Sequence, residues 1–339
     1  MSSENAALIA VFNIARAHNN RYFTVVIFII GVLGNCLNVL VLSQPVLNQV
    51  PTARYFLAAS GASLASLTSG LLARIMSGWT ADPASYNRSL CKFQAYTNKL
   101  GQTCCSYFIL AAAIDRWFQS CQNIRYRQMS SIKNSTRAIT IILIVFGIYH
   151  SIHAICYEAF QTIPPIKCYA GSKTCRYFEN ISYALITVII PHCSILFAGW
   201  KTIESIRYSR RRVNVSVFHN SVFTTNIAPS ITRCMRNQIT DQAKMRSLTR
   251  MLIVQVCTYI ILTLPAAGEA LYMTITLEKK GSVDTDLQLA IDRFLFAFTA
   301  VLSYMAISLP FFLYTLTGST FRKILIKIVT KKRCCSVDH

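Results

Sequence analysis

A chain of 339 residues in which 53% are hydrophobic and only 14% charged is too poor in charge for an ordinary soluble domain, which carries about 25%. With its positive mean hydropathy it reads as a polytopic membrane protein. The formal net charge of +21 lies in short segments between apolar runs rather than on a basic stripe, which argues against nucleic acid as a partner, and thirteen cysteines without a CxxC spacing argue against a zinc site.

Residues 1–21 are polar to mixed and lack a basic n-region and a small-residue cleavage site, so no cleaved signal peptide is expected. The first apolar run, Tyr22 to Leu42, is long enough to span a bilayer. The second, about Tyr55 to Ser77, is rich in Ala, Ser and Gly, which lets helices approach closely. The third runs from Cys91 to Trp117 and holds one lysine, Lys99, and no acid before Asp115. Its 24 steps from Cys91 to Asp115 make about 36 Å of helix, enough to put the cysteine at one membrane face and Asp115-Arg116 at the other. A long buried helix in a soluble protein is the competing reading. It fails because further runs follow: Ala138 to Tyr157, Ile181 to Trp200 with Pro191, Met251 to Leu277 with Pro265, and Leu289 to Leu316 with Pro310. Glu158 to Glu179 reads as a loop, and Asn214 to Thr232 as the mobile middle of a basic segment.

Seven spans place the termini on opposite sides. The segments on the Arg116 side carry 22 of the 34 Lys and Arg against four acids, so that side is expected to be cytoplasmic. Residues 1–21 are then an extracellular N-terminus, 22–317 the membrane domain and 318–339 a cytoplasmic tail. Asn87 and Asn180 fall outside as glycan-acceptor triplets. After Gly318, the residues Phe321, Ile324, Leu325 and Ile328 share one helical face beside Arg322, Lys323 and Lys327, as in an amphipathic helix lying on membrane lipid. Cys334-Cys335, after a basic triplet, suits palmitoylation.

Seven spans, Cys91 at the start of span three and Asp115-Arg116-Trp117 at its end resemble the rhodopsin-like (class A) G-protein-coupled receptors. Asn35, Pro191, Pro265 and Tyr314 followed by Phe321-Arg322-Lys323 add to the likeness, and YFLAAS in span two and ESIR after span five are similar to invertebrate FMRFamide-type neuropeptide receptors and their relatives. The resemblance implies an all-α seven-helix bundle at the plasma membrane that couples an extracellular ligand to a heterotrimeric G protein, with Asp115, Arg116 and Trp117 at the coupling end and Pro191, Pro265, Pro310 and Tyr314 as helix pivots. It implies a disulfide from Cys91 to the second outer loop, where Cys168 and Cys175 both qualify; Cys168 is favoured because Cys175 has little slack before span five. It places a ligand pocket among Arg74, Asn98, Lys99, Gln102, Glu269, Tyr272 and Tyr304.

The departures from the family pattern are specific. Span two has no acid in Ser60-Gly61-Ala62-Ser63, span four lacks its tryptophan, Thr263 stands two residues before Pro265 where a tryptophan is usual, and no Asn precedes Pro310. Met245, near the inner end of span six, has Lys244 and Arg246 beside it and no acid, so a second lock on Arg116 is not expected. Asn98 occupies the position where amine receptors carry an aspartate, and span seven has no lysine for a retinal Schiff base. A peptide or another polar ligand is therefore expected, and Lys99 and Glu269 are expected to face each other across the pocket, since intramembrane charges face a cavity or a partner. Arg74 has a second reading, snorkelling to the headgroups. No metal triad, nucleophile–base pair or phosphate loop is present, so neither enzyme chemistry nor a cofactor is expected. The rival class is a transporter or channel, but the inverted repeats common there are absent.

Overall fold

The computed structural model describes residues 3–79, 82–160, 168–220, 229–279 and 286–334. Among them are six helical stretches long and apolar enough to cross a membrane: Glu4–Leu42, Pro51–Gly78, Ile132–Cys156, Lys173–Ser205, Thr249–Thr276 and Asp286–Ser308, here called spans one, two, four, five, six and seven. Span three, Arg88–Ser120, has 33 residues but is more polar than the others. It tolerates Lys99 and Asp115-Arg116 because it packs against spans two, four, five and six, and it buries residues along its whole length from Cys91 to Arg116. The all-α seven-helix bundle is thus the architecture, and the strands among the described residues are one two-residue antiparallel pair, β1 (Tyr157–Glu158) and β2 (Tyr169–Ala170).

Local sequence sets the helix starts. The side chains of Asn87, Ser131 and Ser172 accept from the backbone N–H of Leu90, Asn134 and Cys175 at 3.1, 3.3 and 3.1 Å, capping spans three, four and five. Pro51 and Pro310 stand in first turns, where the missing N–H costs nothing. Close approach of spans two and three depends on Gly101, where a Cβ would meet the Ala62 carbonyl oxygen at 2.7 Å.

Three expectations about extent are corrected. Span one begins at Glu4 rather than Tyr22, because the apolar run Ala6 to Phe12 continues the helix across a π turn at Asn19–Phe23. The end of the expected outer loop is helical: Lys173–Ser182 turns Arg176, Glu179, Asn180 and Ser182 inward, a polar buried face that an apolar-run search passes over. The expected loop Asn214 to Thr232 is helical at both ends, since one helix runs to Asn220 and the next starts at Pro229.

The main core lies toward the Arg116 end, around Phe56, Phe108, Ile109, Met251, Ile307 and Tyr314. After a break at Leu309, Pro310–Thr317 leads into the helix Ser319–Cys334. Phe321 is buried there, and Ile324, Leu325 and Ile328 pack on the same core, so the apolar face is spent largely on the bundle. Cys334 ends that helix, and Cys335 lies outside the described residues.

Candidate functional site

A cavity opens at the Cys91 end among spans two, three, five, six and seven, lined by Arg74, Asn98, Lys99, Gln102, Glu179, Tyr183, Glu269, Phe296 and Tyr304 among others. Two disulfides roof it. Cys91 joins Cys168, with Cα atoms 5.7 Å apart, and Cys175 joins Cys156. The Cys175 alternative for Cys91 is thereby set aside: Cys175 sits in the first turn of the span-five helix, facing the end of span four. The second outer loop is also held to span three by charge, with Glu158 3.2 Å from Lys92 and 3.5 Å from Arg88.

Several cavity residues are positioned by neighbours on other helices. Asn98 Oδ1 accepts from Ser66 at 2.8 Å, Tyr304 at 3.1 Å and Gln102 at 3.3 Å, tying spans two, three and seven at one atom. Only glycine fits beside it, since a Cβ on Gly70 would run into the Tyr304 hydroxyl and the Asn98 side chain. Gly70 lies in a π segment, Leu67–Leu71, and a second π segment, Tyr183–Ile189, carries Tyr183 to the cavity wall. Such segments often mark functional sites. Arg74 lies over the Phe296 ring at 5.1 Å and within hydrogen-bond reach of Tyr304, which settles its two readings in favour of the cavity. Tyr272 is not a lining residue: it is 38% exposed, and its hydroxyl donates to Asp292 at 3.3 Å and accepts from Gln288 at 2.8 Å, beside the cavity.

Lys99 does not meet Glu269. It forms an ion pair with Glu179 of span five and lies 4.9 Å from the Tyr183 ring. The other Glu179 oxygen accepts from His153 Nε2 at 2.9 Å. His153 Nδ1 faces the His150 carbonyl oxygen at 3.1 Å, His150 Nε2 lies 2.9 Å from Thr103 Oγ1, and Thr103 bonds Thr187 at 2.8 Å. Both histidines are buried. A continuous polar chain thus joins spans three, four and five, and its satisfied members explain how buried charge is tolerated. Sequence reading missed Glu179 because it stood at the edge of a loop, and missed His150 and His153, three residues apart at the end of an apolar run, because nothing in the order of residues shows what they face.

Deeper in the bundle stands Thr263, at the position where the resemblance leads one to expect a tryptophan. Its hydroxyl donates to the Tyr259 carbonyl at 2.8 Å and lies 3.1 Å from His192 Nε2. The His192 ring stacks on Tyr259 at 5.2 Å, and the Tyr259 hydroxyl bonds Ser106 at 2.8 Å. Small polar groups therefore link spans three, five and six where one large ring is usual. Pro191, beside His192, follows the π segment of span five, and Pro265 lies within the span-six helix.

At the Arg116 end, Asp115 accepts from Ser130 at 2.5 Å, from Gln119 at 2.9 Å and from Thr52 of span two. Arg116 beside it is 3% exposed, and Trp117 faces Phe197 of span five at 6.3 Å. Tyr314 is buried against Phe56 at 5.1 Å and donates to Gln255 of span six at 2.5 Å. Met245, Lys244 and Arg246 lie outside the residues whose side chains are described.

Of the two glycan triplets, Asn87 is exposed at its helix cap. Asn180 is only 6% exposed and accepts from the Tyr169 hydroxyl at 3.3 Å, so the fold leaves no room for a glycan there. Asp82, in the short loop before span three, accepts from Ser85 at 3.0 Å and from the Ala84 N–H at 3.1 Å. Burial pushes its carboxyl up from the usual carboxylate range, and these two bonds pull it back in part.

Comparison with curated proteins finds no match. A family model described as 7 transmembrane receptor (rhodopsin family) matches residues 34–314, a stretch that runs from Gly34 in span one to Tyr314 and includes every cavity-lining residue but Asn20, both disulfides and the Asp115-Arg116 pair. The chain therefore belongs to the rhodopsin family of seven-transmembrane receptors.

Proposed function

We propose that this receptor binds a polar extracellular ligand, a peptide, in the cavity at its Cys91 end and passes the event to a heterotrimeric G protein at its Arg116 end, with the N-terminus outside the plasma membrane. The observation that carries the reading is the succession of side-chain links between the two ends. Asn98, Tyr304 and Ser66 meet at the cavity floor, Ser106, Tyr259, His192 and Thr263 lie below them, and Tyr314–Gln255 and Asp115–Thr52 lie lower still. Each joins side chains on different spans, so a ligand that prefers one arrangement of the helices shifts the whole set. It shifts it only by as much as it distinguishes the two states. The basic excess on the Arg116 side supports the orientation.

In this reading Arg116 is released from its buried place on activation and meets the G protein. Arg116→Ala is expected to leave surface expression intact and to abolish nucleotide exchange driven by an agonist found among candidate neuropeptides. Full exchange by that variant would remove the triplet from the mechanism. The wild-type receptor is expected to show ligand-free exchange above a mock control, because the sequence around Met245 offers Arg116 no acid.

A further inference from the structure

The charges around the cavity are unequally satisfied, and the difference identifies what the cavity accepts. Lys99 and Glu179 neutralise each other, and Glu179 takes a second bond from His153. Asp82 is capped by Ser85 and Ala84 within its own turn. Arg74 rests on the Phe296 ring and the Tyr304 hydroxyl. Glu269 differs from all of these. It lines the cavity from span six, has no ion pair within 4.0 Å among the described residues, and its Oε1 is buried without a hydrogen-bond partner. The charges near enough to act on it are Arg74, Lys99 and Asp292. Two of the three are engaged as just described, and Asp292, on span seven, adds negative potential.

A carboxylate oxygen buried within a membrane bundle without a donor is costly and points to a missing partner. A neutral donor would satisfy the orphan oxygen but leave the charge uncompensated. A cation with N–H donors satisfies both, and its charge-assisted bonds are the stronger kind. An anionic ligand would have to displace Glu179 from Lys99, or strip Arg74 from its ring, while lying beside Glu269 and Asp292.

We infer that the ligand carries a cationic N–H donor group, a guanidinium or ammonium, that docks on Glu269 between spans six and two. This deepens the receptor reading of the same cavity and rests on it.

The test uses the full-length receptor in nanodiscs without G protein, read by thermal unfolding, with three small probes: N-acetyl-arginine amide, its uncharged isostere N-acetyl-citrulline amide, and the anion N-acetyl-glutamate amide. At about ten times a millimolar dissociation constant the arginine probe should raise the midpoint by about 2 °C, and the citrulline and glutamate probes should not. Glu269→Gln should abolish the shift and Glu269→Asp should retain part of it. A shift by the citrulline probe equal to that by arginine, a shift by the glutamate probe lost in Arg74→Gln, an arginine shift that survives Glu269→Gln, or no shift by any probe would each overturn the inference. Because no G protein is present, failure here is distinct from failure of the transduction reading, which nucleotide exchange tests on its own. If Glu269→Gln does not fold, Glu269→Asp and the citrulline comparison still decide.

Discussion

At the Cys91 end, two disulfides and four of the five ion pairs among the described residues tie spans three, four and five to the loop between them. At the Arg116 end there is no disulfide among the described residues. The one ion pair there, Lys201–Glu204, is a local contact three residues apart with Glu204 57% exposed, and such exposed pairs contribute little. What joins the helices at that end is an apolar core crossed by hydrogen bonds, Thr52 and Ser130 to Asp115 and Tyr314 to Gln255, with one exposed bond from Arg54 to Thr136. The disulfides are covalent and the Lys99–Glu179 pair is charged and buried, whereas the pairs of Glu158 with Arg88 and Lys92 are partly exposed and add little. The links at the Arg116 end are weaker than a disulfide, about 0.5–1.5 kcal/mol net for the neutral Tyr314–Gln255 bond and about 1.5–3 kcal/mol for each bond to the Asp115 carboxylate, and they can be exchanged for bonds to water or a partner. A receptor that must hold a ligand site in shape and rearrange its other end needs this asymmetry.

The comparison breaks most sharply at the disulfides. By chain entropy, the Cys91–Cys168 bridge, with a separation of 77 residues, contributes about 4.5 kcal/mol and the Cys156–Cys175 bridge, with a separation of 19, about 3.2 kcal/mol. Cys91→Ser and Cys168→Ser are therefore expected to cause the greatest loss of surface expression, and Cys156→Ser and Cys175→Ser a smaller one. Equal losses measured by surface labelling would show that loop length does not set the order.

Next comes the charged chain. Glu179→Ala leaves Lys99 unpaired and should destabilise the receptor by about 3–5 kcal/mol, whereas the double change Lys99→Met with Glu179→Leu should recover most of it. Additive losses in thermal unfolding of the purified variants would mean the pair is not the unit it resembles. Gly70→Ala should follow at about 1–3 kcal/mol, because the added methyl overpacks the Asn98–Tyr304 contact; agonist potency should fall with it. An effect of about the same size is expected at the other end. Tyr314→Phe removes one bond and leaves the Gln255 oxygen without its donor, a cost of about 1–3 kcal/mol. Its readout is ligand-free nucleotide exchange, which should rise as span seven loosens from span six. A stability loss from Tyr314→Phe as large as that from Glu179→Ala would erase the proposed difference between the ends.

Much of the bundle was legible in the amino-acid order. Apolar runs need no partner to declare themselves, because the bilayer requires about 20 such residues whatever they pack against; spans two, four, six and seven therefore appear within a few residues of where they lie. The spacing from Cys91 to Asp115 likewise carries its meaning in helix geometry alone, and Gly, Ser and Ala in span two announce the close approach that Gly101 and Ala62 make. The family resemblance put Arg74, Asn98, Lys99, Gln102, Glu269 and Tyr304 in one pocket, and all six line the cavity. The partners were not legible. Which residue pairs with Lys99 depends on the inward face of a helix whose polar residues look like a loop when read singly, and Glu179 is close to Lys99 only because span five packs beside span three. The same holds for Cys156 with Cys175, for His150 with His153 and Thr103, and for Tyr272 lying beside the cavity instead of in it. One-dimensional order determines which groups are present, at what depth and on what kind of element; the pairing of those groups is a property of helix rotation and packing between spans, and that only the tertiary structure decided.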